Sequence, residues 1–360
     1  MENKKEIYYY ANHIYQFSYA LPVYNKIGGV FVVKDLSRYL QFKRHFRNLA
    51  KFSENTIFNT PRVIISPRER LHELKGIIFF LANSIVPDKD YSGCKTIFHE
   101  HGTSDKRYGG KAHEEAKSKL KKYDFIFLSG PKNKKRLEEV GLLFPSEKLV
   151  KIGGLRFGPY FNRELSILKE QNRLKIKDFT RKNILYAPTW RFGKGTLPKY
   201  GLKFAREITH KYNLIIRPHF HDFKYCRKLK LLAKLHNLRH LYFSNNPNTI
   251  KYDTFNDFIL ADLMISDMSS VIYEFLILGK PMIIVKNEFT NFHKMPKRLD
   301  IMQNVDVYDE NQDIIELIDS NLLEHKYKET YAAMAEECFY LNDDSVNRAV
   351  KFIERLRKEN

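Results

Sequence analysis

The stretch that most constrains what this chain can fold into runs from Ala261 to Val285. Leu263 to Ile265 is a short apolar run suited to a buried strand, and Ser266 to Ser270 is a polar turn rich in residues that start helices. Val271, Ile272, Phe275, Leu276 and Leu278 then recur at helical spacing, Gly279 supplies a C-terminal stop, and Pro281 opens a second apolar run, Met282 to Val285. Strand, helix and strand in that order make a crossover unit, and its polar turn lies outside the carboxyl end of a strand. Open α/β sheets bind ligands there. Backbone N–H groups and the positive end of the helix favour a phosphate at such a turn, with Ser269 and Ser270 adding hydroxyl donors. The alternative is that the two serines only cap the helix.

The same rhythm extends in both directions. After the aromatic-rich Ile7 to Tyr10, a helix and Gly28-Gly29, the run Val30 to Val33 reads as β-like. Val63 to Ser66, Gly76 to Leu81, Lys95 to Phe98, Asp124 to Leu128 and Leu149 to Ile152 read as strands. A second series comprises Asn183 to Tyr186, Leu214 to Ile216, Leu241 to Phe243, Leu263 to Ile265 and Met282 to Val285. Helices are expected near Lys203 to His210, Phe223 to Leu235, Asn311 to Cys338 and Ser345 to Arg357. Alternation of this kind gives parallel sheets covered by helices. The charged stretch Phe161 to Lys182 separates the two series. Residues 1–160 and 183–340 are therefore expected to form two Rossmann-like α/β domains joined by 161–182, with 341–360 a helix able to cross back to the first.

Charge narrows the partners. The chain of 360 residues carries 62 Lys plus Arg against 42 Asp plus Glu, a formal +20, so its surface attracts anions: a nucleotide substrate, an anionic membrane or a nucleic acid. The basic residues are spread along the chain, and no helix-turn-helix, zinc-finger or RNA-binding aromatic signature stands out, so a specific nucleic-acid partner is not expected. The clearest local concentration is Leu36 to Phe52, where Lys43, Arg44, Arg47 and Lys51 interleave with apolar residues; it is either a surface helix or a segment that docks on anionic lipid. No apolar run approaches the ~20 residues of a spanning helix, and no signal-peptide core follows the first residues. Cys94, Cys226 and Cys338 are scattered and odd in number, which argues against disulfides and fits a cytoplasmic setting.

Polar clusters follow the expected strands: His99-Glu100-His101-Gly102-Thr103, Pro188-Thr189-Trp190-Arg191, Arg217-Pro218-His219 and Ser266 to Ser270. Carboxyl ends of two facing parallel sheets can bring such clusters to one cleft. His101 and His219, one on each domain, are candidates for proton transfer and for a phosphate or leaving-group contact. The pairs His99/His101 and His219/His221 could each offer two metal ligands, but no third is indicated, so no metal is expected.

Taken together, His-Gly-Thr at 101–103, Tyr-Ala-Pro-Thr-Trp-Arg at 186–191, Arg-Pro-His at 217–219 and the Ile-Ser-Asp-Met-Ser-Ser-Val run within 262–271 resemble the CDP-glycerol glycerophosphotransferase family of teichoic acid and capsule synthesis. That resemblance implies a GT-B fold and transfer of a polyol phosphate, such as glycerol or ribitol phosphate, from a CDP-activated donor to a hydroxyl with loss of CMP. It implies no cofactor. His101 is then the expected base and His219 a second essential histidine. Thr189, Arg191, Arg217, Asp267, Ser269 and Ser270 are expected on the donor phosphates, and Gly102, Thr103 and Lys106 on the acceptor side. Glu274 stands in a Glu-x(4)-Gly-Lys-Pro pattern that also resembles GT-B glycosyltransferases and epimerases that place the acid on a nucleotide ribose. It could equally serve as a favourably placed carboxylate in the early turns of a helix. A nucleotide-sugar glycosyltransferase is therefore the alternative. The expected acceptor is lipid-linked or a saccharide polymer, which places the work at the inner face of the cell membrane.

Overall fold

The structure is a computed structural model, and it describes residues 4–47, 61–100, 111–245, 248, 250, 252–267, 269–287, 300–341 and 344–359. Thirteen strands in the described residues form two sheets. The first holds β1 (Ile7–Tyr10), β2 (Val30–Val33), β3 (Arg62–Ile65), β4 (Gly76–Phe80), β5 (Cys94–His99), β6 (Phe125–Leu128) and β7 (Leu149–Lys151) in the order 3-2-1-4-5-6-7. The second holds β8 (Asn183–Ala187), β9 (Asn213–Ile216), β10 (Leu241–Phe243), β11 (Leu263–Ser266), β12 (Met282–Val285) and β13 (Asp306–Tyr308) in the order 10-9-8-11-12-13. Every pairing is parallel; Ile184 faces Leu263 and Ala187 faces Ser266 across β8 and β11. In each sheet the order reverses direction beside its first strand, at β1/β4 and at β8/β11. Those reversals are where a crevice opens at the carboxyl ends of a doubly wound sheet.

Strands buried on both faces must be apolar throughout, and alternate residues then feed two different cores. On β8 and β11, Leu185 and Met264 pack with Phe258, Phe275 and Tyr331, while Tyr186 and Ile265 point the other way to Phe204, Ile208 and Ile318. The first sheet does the same with Phe31 and Phe79 on one side and Ile78, Phe80 and Tyr123 on the other. Cys94, Cys226 and Cys338 are all buried in these layers.

The helix Ser345–Lys358 sits on the first sheet although it follows the second in the chain. Ala349, Ile353 and Leu356 enter the core built around Phe31 and Phe79, and Arg348 Nε donates to the carbonyl of Ile152 at 2.9 Å. The approach is close: at Gly153, with φ of 98°, a Cβ would stand 2.6 Å from Ser345 Oγ. The segment between the sheets contains the helix Ile167–Leu174, whose Arg173 reaches the buried Asp257 at 2.5 Å. The expected single helix from Asn311 to Cys338 is two, Ile314–Leu323 and Lys328–Cys338, because Glu324 turns extended (φ −135°, ψ 110°). No helix of the described residues is long and apolar enough to cross a membrane.

Candidate active site

The loops that follow β8 and β11 straddle the reversal point of the second sheet, and Asp267 joins them. Its carboxylate is wholly buried and accepts three hydrogen bonds, from the Thr189 N–H at 2.7 Å and from the N–H and hydroxyl of Thr196 at 2.9 Å each. Burial pushes its pKa up to about 6 despite those donors. Ser266 completes the seam, its hydroxyl donating to the carbonyl of Ala187 at 2.7 Å. Asp267 therefore lies beneath the turn and shapes it, with Thr189 nearly buried beside it and Ser269 and Ser270 partly exposed above.

The structure bears on the capping reading of Ser269 and Ser270. The helix they precede is short, Val271–Phe275 continued by one tighter turn to Leu278, and Ser270 makes no side-chain capping bond. The Ser269 N–H bonds back to the carbonyl of Asp267 at 2.7 Å, closing the turn. Gly279 takes the left-handed conformation that ends the element, φ 59°.

After β9, the Arg217 guanidinium is committed to the protein. Its Nη1 pairs with the wholly buried Asp257, and Nη2 donates to the carbonyl of Tyr252 at 3.3 Å. Asp257 in turn accepts from Ser244 Oγ at 2.7 Å and from Arg173. His219 begins the next turn: its Nδ1 accepts from the His221 N–H at 3.3 Å, and its ring lies 6.2 Å from Trp190 and 4.4 Å from Phe220. Arg191 is exposed, its N–H bonded to the buried Asp222 at 2.9 Å.

The first domain meets this cluster across the cleft. Tyr15 lies 5.1 Å from Phe220, its ring tilted by 39°, and His13 lies 6.4 Å from His221; His13 caps the 3-10 helix Ile14–Tyr19 that carries Tyr15 after β1. At the exit of β5, Glu100 accepts from Asn133 Nδ2 at 3.0 Å and from Arg136 Nη1 at 3.3 Å. The next residues, including His101, Gly102, Thr103 and Lys106, lie outside the described residues. Among the described residues no group of three or more His, Cys, Asp or Glu side chains is placed to hold a metal ion.

Glu274 sits at the seam between the halves. It is buried, pairs with Arg156 and accepts from Tyr19 Oη at 3.2 Å; Arg156 also bonds both oxygens of Asp253 at 3.1 and 3.2 Å. Burial opposes the charge on Arg156, but the two carboxylates outweigh it and hold the guanidinium firmly protonated. Arg156, Asp253, Asp257 and Tyr19 were not picked out as site residues from the sequence; the glycine pair of Gly153-Gly154-Leu155-Arg156 soon after β7 is the local signal that could have drawn attention to Arg156.

Two parallel-sheet domains, each with its loops at the carboxyl ends of the strands, define a GT-B architecture. Residues 4–355 match the CDP-Glycerol:Poly(glycerophosphate) glycerophosphotransferase family, and the chain belongs to it. It is 25% identical over 222 residues to the teichoic acid glycerol-phosphate primase of Bacillus subtilis (strain 168), covering 57% of this chain and 53% of that protein. It is 31% identical over 134 residues to the teichoic acid poly(glycerol phosphate) polymerase of Bacillus spizizenii, covering 34% and 30%. The chain thus spans about half or less of the curated relatives it matches. Among solved structures it resembles the wall teichoic acid polymerase TagF, with a TM-score of 0.71 at 15% identity over 99% of this chain and 90% of that one. The UDP-GlcNAc 2-epimerase of Neisseria meningitidis gives 0.63 at 13%, over 98% and 100%.

Proposed function

We propose that this chain transfers a polyol phosphate from a CDP-activated donor, CDP-glycerol or CDP-ribitol, to an acceptor hydroxyl in the synthesis of a teichoic acid or capsule-type polymer. The observation that carries the reading is the place of the Thr189 and Ser269–Ser270 loops at the reversal point of the second sheet, with His219 of the neighbouring β9 loop beside Trp190, in a chain of this family. In this reading residues 1–160 form the acceptor side and 183–340 the donor side.

The acceptor oxygen attacks the β-phosphorus of the donor, its proton passes to His101, and the bond from that phosphorus to the bridging oxygen breaks to release CMP. His219, Arg191, Ser269, Ser270 and the N–H groups of the turn spread the charge on the pyrophosphate. Asp267 acts as a positioning residue that holds Thr189 and Thr196, and Arg217 steadies the Tyr252–Asp257 segment. The helix Leu36–Arg47, with Leu36 and Leu40 exposed beside Arg44, suits reversible contact with an anionic membrane face from the cytoplasmic side.

Incubating the protein with CDP-glycerol, CDP-ribitol and a panel of nucleotide sugars, with a primed acceptor present, tests the reading. Release of CMP from a CDP-polyol is expected; release of a nucleoside diphosphate from a sugar donor would make it a glycosyltransferase.

A further inference from the structure

The helix Leu36–Arg47 does more than cover the first sheet. Its Leu36, Leu40 and Arg44 form one wall of a groove of about 840 Å³, whose opposite wall is Phe220 and Phe223 of the other domain. The volume falls in the range of small-molecule sites. The floor is fastened across the domains, since Asn248 Nδ2 donates to the carbonyl of His45 at 2.9 Å. At its inner end Tyr15 and His13 reach Phe220 and His221, so the groove opens one ring away from His219.

The lining is basic and apolar at once. Arg38, Arg44, His13 and His45 supply the basic groups, and no carboxylate lines the groove among the described residues. Arg38 Nη1 donates to Gln41 Oε1 at 2.9 Å, while its buried Nε has no hydrogen-bond partner among the described residues. Arg44 is exposed on the groove, so its guanidinium is open to an oxyanion there. Leu36 and Leu40 are 61% and 60% exposed on the same wall, where an aqueous solute gains nothing from them and a hydrocarbon chain does.

We propose that this groove is the subsite for an anionic amphiphile, with Arg38 and Arg44 on its phosphate and Leu36, Leu40 and Phe223 along its chain. The assignment rests on the transferase reading only in making that amphiphile the carrier of the acceptor. The groove would then align the carrier's phosphate with the helix and hold its reacting hydroxyl toward His219.

Geranyl diphosphate serves as the probe, measured by calorimetry on the full chain beside inorganic diphosphate and geraniol. It is expected to bind at least about tenfold more tightly than either half alone. Arg38→Ala with Arg44→Ala, and separately Leu40→Asp, should each weaken it at least about tenfold, through the loss of two charge-assisted contacts or of the apolar wall. CDP-glycerol affinity should stay at the parent value in all of them. Leu40 and Arg44 are exposed, so Leu40→Asp and Arg44→Ala alone keep the test open should the double variant fold poorly. Inorganic diphosphate binding as well as the prenyl form, or variants binding the probe as the parent does, would overturn the assignment. So would variants that lose sedimentation with phosphatidylglycerol vesicles yet keep their affinity for the probe, since the helix then serves a membrane surface and not the groove. Absence of CDP-glycerol binding in the parent would strike at the transferase reading instead.

Discussion

At the scale of single residues, Asp267 shows how burial sets the protonation of a motif carboxylate. Its folded pKa of about 6 exceeds the ordinary 3.8, so the native state holds the proton more tightly than the unfolded chain does. That contribution to stability is complete below about 4 and is lost as pH rises to about 6. Denaturant unfolding across that window should therefore show a stability that declines with pH, and the decline should vanish in Asp267→Asn. The same variant presents an amide donor to the Thr196 donors and should lose about 1–3 kcal/mol with weakened donor affinity. Unchanged affinity would separate Asp267 from the donor turn. For the histidines, His219→Ala and His101→Ala should each lower turnover at least ~100-fold while circular dichroism stays native; near-normal turnover would remove that residue from the mechanism. Arg217 and Asp267 were expected on the donor phosphates from the sequence, without the buried partners the structure gives them. Their partners, Asp257 and Thr196, are ordinary residues in the sequence whose meaning appears only once two strands lie side by side.

Among the elements, strands buried on both faces were the most legible, because an apolar run of four or five residues between polar turns has few other uses. β10 and β12 have the expected limits, and the helix Phe223–Leu235 does too. β13 was missed: it is three residues long, begins with Asp306, and sits at an edge where one side needs no partner. The break between the helices Ile314–Leu323 and Lys328–Cys338 contains neither Gly nor Pro, so nothing local announces it. The last helix has a consequence that can be measured. Ile353 is fully buried against the first sheet, and Ile353→Ala should cost about 2–5 kcal/mol in the unfolding of that half. A loss below about 1 kcal/mol would mean the helix is only loosely docked.

For the whole molecule, the seam between the halves is held by charge as well as by rings. Arg156 joins Asp253 and Glu274 in a largely buried network, so Arg156→Met leaves two carboxylates facing each other without their cation. That variant should lose about 3–5 kcal/mol, and adding Asp253→Asn and Glu274→Gln should restore much of it. Equal stability of the single and triple variants would show that the carboxylates find water or another partner. Two doubly wound halves were legible from the sequence because alternation alone demands them; the tie between them was not, since Tyr19, Arg156 and Glu274 are spread over most of the chain. The cysteines then offer a way to watch the halves move. All three thiols are buried, and burial pushes those of Cys94 and Cys226 up to about 12, which leaves almost no thiolate at neutral pH. A maleimide dye or spin label should therefore pass the native thiols by and react with a cysteine introduced at an exposed position on each domain, so the opening and closing of the cleft can be followed by distance measurements on the otherwise unaltered chain.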